Sequence, residues 1–289
     1  LGDVYKRQNI INIVSETHKI PVFIKLFFNL LAFSFSSSNN TKSKGKENLS
    51  ESIQEMGTTF IKLGQFLATR PDIIGEKLSK ELESLQDKLP PFSKKEAEKI
   101  IIENLGQSNF DDIIDLSEPI AAASIAQVHK AKIKEDNIIK NVAIKVLRPN
   151  IKKIFNDEID AIMLLAYIVE SLISKTKRLK LIEVVFLFKE ITNHEMDLRF
   201  EAAAANEYAE NTKNDLGFFV PKIYWNFTGE SVLTLDWVDG VSIREKDLLK
   251  EKNIETSKIA TNLIQHFLRH AVRDGCLLYT SDAADERLR

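Results

Sequence analysis

The sequence predicts an α+β fold, in which a small antiparallel sheet stands between two groups of helices. Residues 49–106 place apolar residues three or four positions apart, a spacing typical of helices that bury one face. Residues 113–147 change to runs rich in valine and isoleucine, with a polar turn at 134–137, which is typical of paired strands. Helical spacing returns after Pro149, and this order of elements favours the α+β class.

The composition is that of a globular chain with no strong charge bias. The 289 residues are 44% hydrophobic and 28% charged, with a formal net charge of −2. This apolar content is enough for a sizeable core, and the balanced charge argues against a nucleic-acid partner. The single Cys276 excludes an internal disulfide and a cysteine-based zinc site. His266 and His270 are one helical turn apart, but no third ligand is evident, so no metal site is predicted.

Both ends of the sequence differ from the rest. Residues 1–8, LGDVYKRQ, and residues 276–289, CLLYTSDAADERLR, resemble translated sequencing-adaptor text. The apolar period of the preceding helix also stops at Gly275. We therefore treat both ends as artefacts and expect them to make few packed contacts. A natural C-terminus is the alternative interpretation.

Residues 9–48 are predicted to form an N-terminal helix and a linker. The stretch 20–35 is apolar but shorter than a membrane-spanning helix, and Lys25 and Asn29 interrupt it. It is suited either to a membrane interface or to packing on the rest of the protein, and the sequence does not decide between them. The polar stretch 36–48 is typical of a linker.

The helices predicted in residues 49–106 form a helical extension ahead of the sheet. Apolar residues share one face of the first helix, namely Ile53, Met56, Phe60 and Leu63. A second helix is predicted over 75–89, where leucines recur at 78, 82, 85 and 89. A third covers 94–105 and ends at Gly106.

The sheet and its inserted helices, residues 107–240, are predicted to form one lobe. Long helices are expected over 151–175 and 182–211. Strands are expected over 218–225 and 231–238. A further lobe is expected to begin at 241–275, with a helix whose apolar residues recur about one turn apart at Ile259, Leu263, Phe267 and Val272.

The strand Val142-Ala143-Ile144-Lys145 carries the first chemical signal. Alternation places Lys145 on the face opposite Val142 and Ile144. A lysine on such a V-A-I-K strand holds the α- and β-phosphates of ATP in kinases. Taken alone the signal is weak, because most strand lysines reach solvent.

The segment ahead of this strand should cover the phosphates. Kinases use a glycine-rich loop there, but residues 119–131, PIAAASIAQVHKA, contain no glycine. Alanine keeps the side chains small while restricting the backbone more than glycine does. An alanine-rich loop of this form ahead of V-A-I-K is similar to the UbiB family of atypical kinases, also called the aarF type.

Two further motifs strengthen the resemblance to that family. Lys62-Leu63-Gly64-Gln65 matches its KxGQ motif, and Glu195-Met196-Asp197 matches its ExD motif. LQDKLPPF at 85–92 also fits, so the resemblance extends over residues 50–275. Four motifs in the right order make coincidence implausible.

The resemblance implies a protein-kinase-like fold whose KxGQ helices cover the cleft where a peptide substrate would otherwise lie. It implies ATP or ADP as ligand, with Lys145 on the phosphates and Glu201 orienting that lysine. Asp197 and Glu201, one helical turn apart, are expected to share a helix face. The regulatory residues Lys62, Gly64 and Gln65 are expected to meet Glu195 and Asp197.

The loop residues expected at the nucleotide are Ile120, Ala121, Ala122, Ala123, Ser124, Ile125, Ala126, Gln127 and Val128. Backbone groups of Asp236, Trp237 and Val238 are expected beside the base.

The same resemblance implies residues that this sequence does not show. Kinase chemistry needs a catalytic-loop Asp and Asn and a metal-binding Asp, which follow a segment like Ala271–Gly275 in the family. The family-like pattern stops there, so we expect a truncated chain with no catalytic or metal-ligating residues. Mg²⁺ is then expected only in the intact parent, and this chain is expected to bind nucleotide weakly at most and to turn over no ATP.

Three functions remain open at this point. The first is an ATPase, or a phosphotransferase (transferase) acting on small molecules or lipids, that supports ubiquinone biosynthesis. The second is a non-catalytic nucleotide-sensing scaffold of a membrane complex for quinone biosynthesis, and the third is a conventional protein kinase. The resemblance implies quinone-biosynthesis enzymes or lipid intermediates as partners, membrane association, and location at the cytoplasmic face of a bacterial inner membrane.

Overall fold

The computed structural model describes residues 53–274, apart from positions 55, 84, 86–88, 173 and 244. The described residues form two compact units, one drawn from residues 53–88 and 150–193 and one drawn from residues 89–149 and 194–274. The first unit is helical and the second contains the sheet, so the predicted α+β class is confirmed. The adaptor-like ends and the apolar stretch 20–35 lie outside the described residues.

The helical unit is built around the packing of α1 on α3 and α6. Helix α6 is the long helix predicted after Pro149, and a regular apolar stripe that includes Phe155, Ile159 and Val169 buries one of its faces. The helices of this unit are α1 (Thr58–Ala68), α2 (Pro71–Ile74), α3 (Glu76–Leu82), α6 (Ile151–Leu172) and α7 (Leu181–Glu195), with a 3-10 helix at Ser174–Leu179.

The helix predicted over 75–89 is shorter than its leucine spacing indicates. Helix α3 ends at Leu82, and Leu85 and Leu89 lie outside it. Leu85 is nevertheless buried, because its side chain packs against Gly64 of α1. Leu85 is therefore buried by a tertiary contact and not by its position on a helix. The prediction of one continuous helix over 75–89 was wrong.

The second unit contains a five-stranded antiparallel sheet. Its strands follow the order β1-β3-β4-β5, and β2 also pairs with β3. The β3–β4 hairpin turns at Asp136 and Asn137, which both have positive φ, as a two-residue type I′ turn requires. The elements are α4 (Lys94–Leu105), α5 (Gln107–Asp111), β1 (Ile113–Ile114), β2 (Pro119–Ala122), β3 (Ala126–Glu135), β4 (Ile138–Leu147), α8 (Leu198–Thr212), β5 (Val232–Asp236), α9 (Lys246–Glu251) and α10 (Thr256–Asp274), with a 3-10 helix at Trp225–Phe227.

Helix α4 closes one face of this sheet. Its N-terminus is fixed by a capping box between Ser93 and Glu96, and it ends at Gly106 as the sequence predicts. Ala97 and Ile101 on its inner face are fully buried in a core with the β3–β5 residues Ala131, Ile133, Val142, Ile144, Val146 and Val232. One face of β4 is thereby committed to the core, and its other face is left for Lys145.

The predicted helix over 182–211 is two helices. Helix α7 ends at Glu195, and Asp197 begins α8 as its N-cap by accepting a hydrogen bond from the backbone N–H of Arg199. The backbone N–H of Leu198 donates to the carbonyl of Glu230 at 2.9 Å, which ties the start of α8 to the segment before β5. The two acids of the ExD motif thus end one helix and begin the next.

Two other predictions need correction. Residues 218–225 form no strand, and only Ile223 bridges to Leu235, because Pro221 has no N–H for a ladder and a 3-10 helix follows. Helix α10 has the expected place, but His266 and His270 are buried while Leu263, Phe267 and Val272 are exposed. The described helices include none long and apolar enough to cross a membrane.

Candidate functional site

Strand β4 places Lys145 beside Glu201 of α8. The Nζ atom of Lys145 lies 2.9 Å from Oε2 of Glu201. The lysine side chain is 12% exposed and the glutamate side chain 35% exposed, so the pair borders solvent without extending into it. A charge-assisted hydrogen bond of this length fixes the direction of the ammonium group. The predicted ion pair between these residues is confirmed.

The residues next to Lys145 on its face of the sheet are apolar. Residues directly opposite each other in antiparallel strands share a face, and Lys145 is opposite Val128 of β3 and Leu233 of β5. Ala143, two residues earlier on the same face, is opposite Leu235 of β5 and Lys130 of β3, and the ammonium of Lys130 lies over the Trp237 ring. The face therefore offers a cation at one end of a small apolar surface, an arrangement suited to a ligand with a flat ring and an anionic tail.

The alanine-rich loop between β2 and β3 is closed by hydrogen bonds to its backbone. The N–H of Ala123 donates to the carbonyl of Ala126 at 2.8 Å. The guanidinium of Arg148 donates to the carbonyl of Ala123 at 2.8 and 3.1 Å, and to that of Pro90 at 3.0 Å. The backbone N–H of Arg148 binds the carbonyl of Ile125 at 2.8 Å. An arginine thus holds a loop that contains no glycine.

Gln127 and His129 form a buried polar network behind this loop. The amide of Gln127 accepts from the backbone N–H of Phe92 at 2.9 Å and donates to its carbonyl at 3.2 Å. The donating atom, Nε2 of Gln127, also lies 3.0 Å from Nε2 of His129. On the other side of the ring, Nδ1 of His129 lies 2.8 Å from the carbonyl oxygen of Ser117. These partners define a neutral His129 that carries its proton on Nδ1. Burial lowers the pKa of His129 below its ordinary value.

This network corrects the expected role of one loop side chain. Gln127 is opposite Val146, on the core face of the sheet, and its amide groups are engaged with Phe92. Its side chain therefore cannot be directed at a ligand beside Lys145. Ser124, Ile125 and Ala126 are also buried, so only their backbone is suited to contact phosphates. The partly accessible side chains of the predicted set are Ile120, Ala121, Ala122, Ala123 and Val128.

The segment after β5 uses part of its backbone within the sheet. The N–H of Asp236 donates to the carbonyl of Lys222, and that of Trp237 donates to the carbonyl of Asn141, both at 3.0 Å. The carboxylate of Asp236 accepts a 2.6 Å hydrogen bond from the hydroxyl of Tyr224. Burial and this contact raise the pKa of Tyr224. Of the three predicted residues, the half-exposed Val238 is the best candidate for a backbone contact with a base.

The KxGQ glycine has a packing role. Gly64 is buried within α1, and a Cβ atom built there would lie 2.3 Å from Cδ1 of Leu85. This glycine allows the chain around Leu85 to approach the helix closely. The roles predicted for Lys62 and Gln65 toward the ExD motif stay predictions.

The ExD acids do different jobs. Glu195 is the last residue of α7, whereas Asp197 caps α8 and binds Arg199 through two hydrogen bonds of 2.9 and 2.6 Å. The expectation that Asp197 and Glu201 share one helix face was based on an unbroken helix. Because Asp197 is the N-cap and has an extended backbone, its carboxylate is instead used at the start of α8.

Sequence reasoning missed Arg148 and Phe92. Arg148 follows the V-A-I-K strand directly, but its sequence context gives no sign that it binds the loop carbonyl. The Phe92 backbone is matched to Gln127 across 35 positions of the chain, a separation that no local pattern indicates.

The site suits a nucleotide better than it suits a metal ion. Lys145 is a fixed cation of the kind that binds phosphate oxygens, and the apolar residues beside it are of the kind that packs against a flat ring. Mg²⁺ prefers several oxygen ligands. Within the part of the chain that the structure describes, only Asp215, His266 and His270 bring three potential ligand side chains together, and neither Glu201 nor Asp236 belongs to this group.

A lysine on a small antiparallel sheet, paired with a glutamate of a neighbouring helix and preceded by a short loop, is typical of the kinase-like class. Residues 84–282 match the family model described as the ABC1 atypical kinase-like domain, which is more than half of the chain. The chain therefore belongs to this family, and within it to the UbiB proteins, which the curated relatives represent.

Two of these relatives are named probable protein kinase UbiB. The one from Marinobacter nauticus is 32% identical over 257 residues, which is 89% of this chain and 46% of the relative. The one from Tolumonas auensis is 32% identical over 280 residues, 95% of this chain and 50% of the relative. The chain thus spans about half the length of these relatives. The solved complex of Rv3197 and erythromycin from Mycobacterium tuberculosis is 24% identical, with a TM-score of 0.42, and the match covers 78% of this chain and 52% of that one.

Proposed function

We propose that this chain is the nucleotide-binding part of an ATP-using, kinase-like enzyme that supports the biosynthesis of ubiquinone or a related isoprenoid quinone. The observation that carries the proposal is the ion pair of Lys145 with Glu201, at the end of an apolar sheet face. The ligand is ATP or ADP. The link to quinone biosynthesis rests on membership of the UbiB family.

Each part of the site has a distinct task in this proposal. The Lys145 ammonium binds the α- and β-phosphate oxygens, and Glu201 holds it extended while the ligand is absent. The backbone of the loop at 122–126 covers the phosphates, and Arg148 keeps the loop in one shape through the Ala123 carbonyl. Val128 and Ala143 contact the base. A Mg²⁺ ion bound together with the nucleotide would neutralise charge on the phosphates.

The reaction is proposed to be ATP hydrolysis or phosphoryl transfer to a small molecule or lipid. Such transfer depends on positioning and charge stabilisation, and it needs a catalytic Asp and metal-binding side chains in addition to the lysine. Among the residues that the structure describes, the candidate site supplies the lysine and its glutamate for this chemistry. We therefore propose weak nucleotide binding and no measurable ATP turnover for these 289 residues. Association with the cytoplasmic face of a bacterial inner membrane, near quinone-biosynthesis enzymes, is part of the same proposal.

The test compares the charge of Lys145 with that of a neighbouring lysine. ATP, ADP and adenosine are titrated into the 289-residue chain and into K145A, E201Q and K140A, by calorimetry. K140A is the matched control, because Lys140 is exposed on the same strand. Replacing Lys145 should lower the affinity for ATP and ADP by roughly tenfold or more, since a charge-assisted hydrogen bond contributes about 1.5–3 kcal/mol. The affinity for adenosine, which has no phosphate, should stay nearly unchanged.

Three results would count against the proposal. If K145A lost as much affinity for adenosine as for ATP, Lys145 would have a structural role and would not bind phosphate. Equal loss in K140A would show nonspecific attraction of phosphate. Mg-dependent hydrolysis by the unmodified chain that disappears in K145A would overturn the proposed lack of turnover.

A further inference from the structure

A second cluster of functional side chains lies on α10 and on the segment that follows α8. His266 and His270 are one turn apart on α10, so their rings project from the same helix face. Asp215 approaches them from the segment between α8 and β5. Its Oδ2 lies 2.9 Å from Nε2 of His270. The proposed nucleotide site uses none of these residues.

The cluster is buried and compact. Asp215, His266 and His270 are 8%, 8% and 3% exposed. Each offers one donor atom, and the three atoms lie within 4.8 Å of one another, a span that a single ion bridges. The Nδ1 atom of His266 is buried and has no hydrogen-bond partner among the described residues. A buried polar atom without a partner costs free energy, and a bound ligand would remove that cost.

Each ligand side chain of a metal site is commonly oriented by a neighbouring group, and His270 and Asp215 both have such neighbours. His270 uses Nδ1 toward the hydroxyl of Tyr208, so the ring is oriented by a partner on the far side from Asp215. The guanidinium of Arg273 lies 3.0 Å from each oxygen of Asp215, which fixes the carboxylate plane. Phe218 packs against both imidazole rings and limits the entry of water.

We propose that Asp215, His266 and His270 bind one divalent transition-metal ion, with Zn²⁺ as the best match to the donor set. Two imidazoles and one carboxylate are a common zinc ligand set, and they leave a fourth position open. The ion enters between Nε2 of His270 and Oδ2 of Asp215. Their 2.9 Å separation then has to widen to about 3.3 Å, the ligand–ligand distance of a tetrahedral zinc site.

Proton positions change in a balanced way when the ion binds. In the empty cluster, Nε2–H of His270 donates to Asp215, and Nδ1 accepts from the Tyr208 hydroxyl. With the ion bound to Nε2, the ring proton resides on Nδ1 and is donated to the Tyr208 oxygen, so the ring carries one proton before and after binding. The carboxylate of Asp215 accepts from Arg273 through both of its oxygens, so Oδ2 keeps a lone pair for the ion. No net proton release from these two residues is required.

The surrounding charges set the selectivity of the site. Arg269 and Arg273 both face Asp215, and Asp274 binds Arg273 on its other side. The two arginines and the two carboxylates cancel, so no excess negative charge attracts hard cations. Mg²⁺ and Ca²⁺, which require several oxygen ligands, should therefore not bind here, whereas ions that favour imidazole nitrogen should.

The test measures metal binding directly and does not depend on nucleotide. The 289-residue chain, purified without a histidine tag and treated with chelator, is titrated with Zn²⁺ by calorimetry and with Co²⁺ by absorbance. One ion should bind per chain, and cobalt should give the intense visible bands of a tetrahedral site. Magnesium titrated under the same conditions should give no signal at this cluster.

Two variants and one control locate the site. H266F keeps an aromatic ring against Phe218 but removes the nitrogen ligands, so it should fold and lose the ion. Y208F removes the partner of His270 and should weaken binding by about 10–100-fold, as loss of an outer partner does. H194F changes an exposed histidine of the same unit and should bind like the unmodified chain.

The outcomes separate this inference from the proposed function. Unchanged zinc affinity in H266F, or equal loss in H194F, would show adventitious surface binding and would overturn the proposal. Absence of stoichiometric binding to the unmodified chain would show that the cluster is only a hydrogen-bond network. Failure of ATP binding in the nucleotide titrations would leave the metal proposal intact, and the reverse also holds.

Discussion

The loop residues Gln127 and His129 show how a polar pair can be buried without charge. Gln127 is matched to both backbone groups of Phe92, and His129 fills the remaining position between Gln127 and the Ser117 carbonyl. Each donor in this chain of contacts meets an acceptor, so the network stabilises the loop only while His129 is neutral. At the level of single residues, this explains why glutamine and histidine follow the alanines.

The neutral state of His129 predicts a pH dependence of stability. Burial lowers its pKa below 6.5, so the unfolded chain takes up a proton more readily than the folded chain as the pH falls. The contribution of His129 to stability is present above pH 6.5 and is lost progressively below it. Melting temperatures measured between pH 7.5 and 5 should fall in the unmodified chain and fall less in H129Q.

The control for this prediction is the exposed His194. H194Q should keep the pH slope of the unmodified chain, because His194 is exposed and takes no part in the buried network of Gln127 and His129. Identical slopes for all three chains would mean that His129 does not stay neutral in the folded state.

At the level of elements, the close contact of α1 with the chain around Leu85 gives a second prediction. A Cβ at Gly64 would lie 2.3 Å from Cδ1 of Leu85, so G64A overpacks the helical unit and should cost about 1–3 kcal/mol, less the roughly 0.5–1 kcal/mol that alanine contributes to a helix. L85A alone should cost about 2–5 kcal/mol through its cavity.

The double variant tests whether these two residues act on each other. G64A/L85A should be less destabilised than the sum of the single changes, since the new methyl group occupies part of the cavity. Urea unfolding of the four chains completes the cycle. Additive losses would mean that Gly64 is required for a reason other than packing against Leu85.

Elements with strong local signals were predicted well from the sequence. Helix α4, with its cap and terminal glycine, and the β3–β4 hairpin were placed close to their observed ends, because caps and turns are local in the chain. The break before α8 was missed, since apolar spacing continues through Met196, which is buried. The pairing of Lys145 with Glu201 followed from the family resemblance, whereas the Arg148 contacts depend on distant backbone groups that no pattern reports.

At the scale of the whole chain, the outer face of α10 is unusual. Leu263, Ile264, Phe267 and Leu268 are exposed together on this helix, and an apolar group of this kind promotes association. We predict that the 289-residue chain increases in mass with concentration in light-scattering chromatography. L263K/F267K should reduce this association.

A lysine placed elsewhere serves as the control for association. L172K changes a more exposed leucine at the end of α6, outside the α10 face, and should associate like the unmodified chain. A single mass at every concentration for the unmodified chain would contradict the prediction. So would a reduction of association by L172K as large as that by L263K/F267K.

The break between α7 and α8 has a consequence for how the chain tolerates insertions and deletions. In one continuous helix, each added residue would rotate Glu201 by about 100° relative to Glu195. Here α8 is started afresh by the Asp197 cap and by the bond from Leu198 to Glu230, so its rotation is set locally. The number of residues between the end of α7 and Asp197 can therefore vary without turning Glu201 away from Lys145. When such sequences are aligned, the number of residues between Glu195 and Glu201 is therefore a poor guide. The position of the N-cap residue Asp197 identifies the start of α8 more reliably.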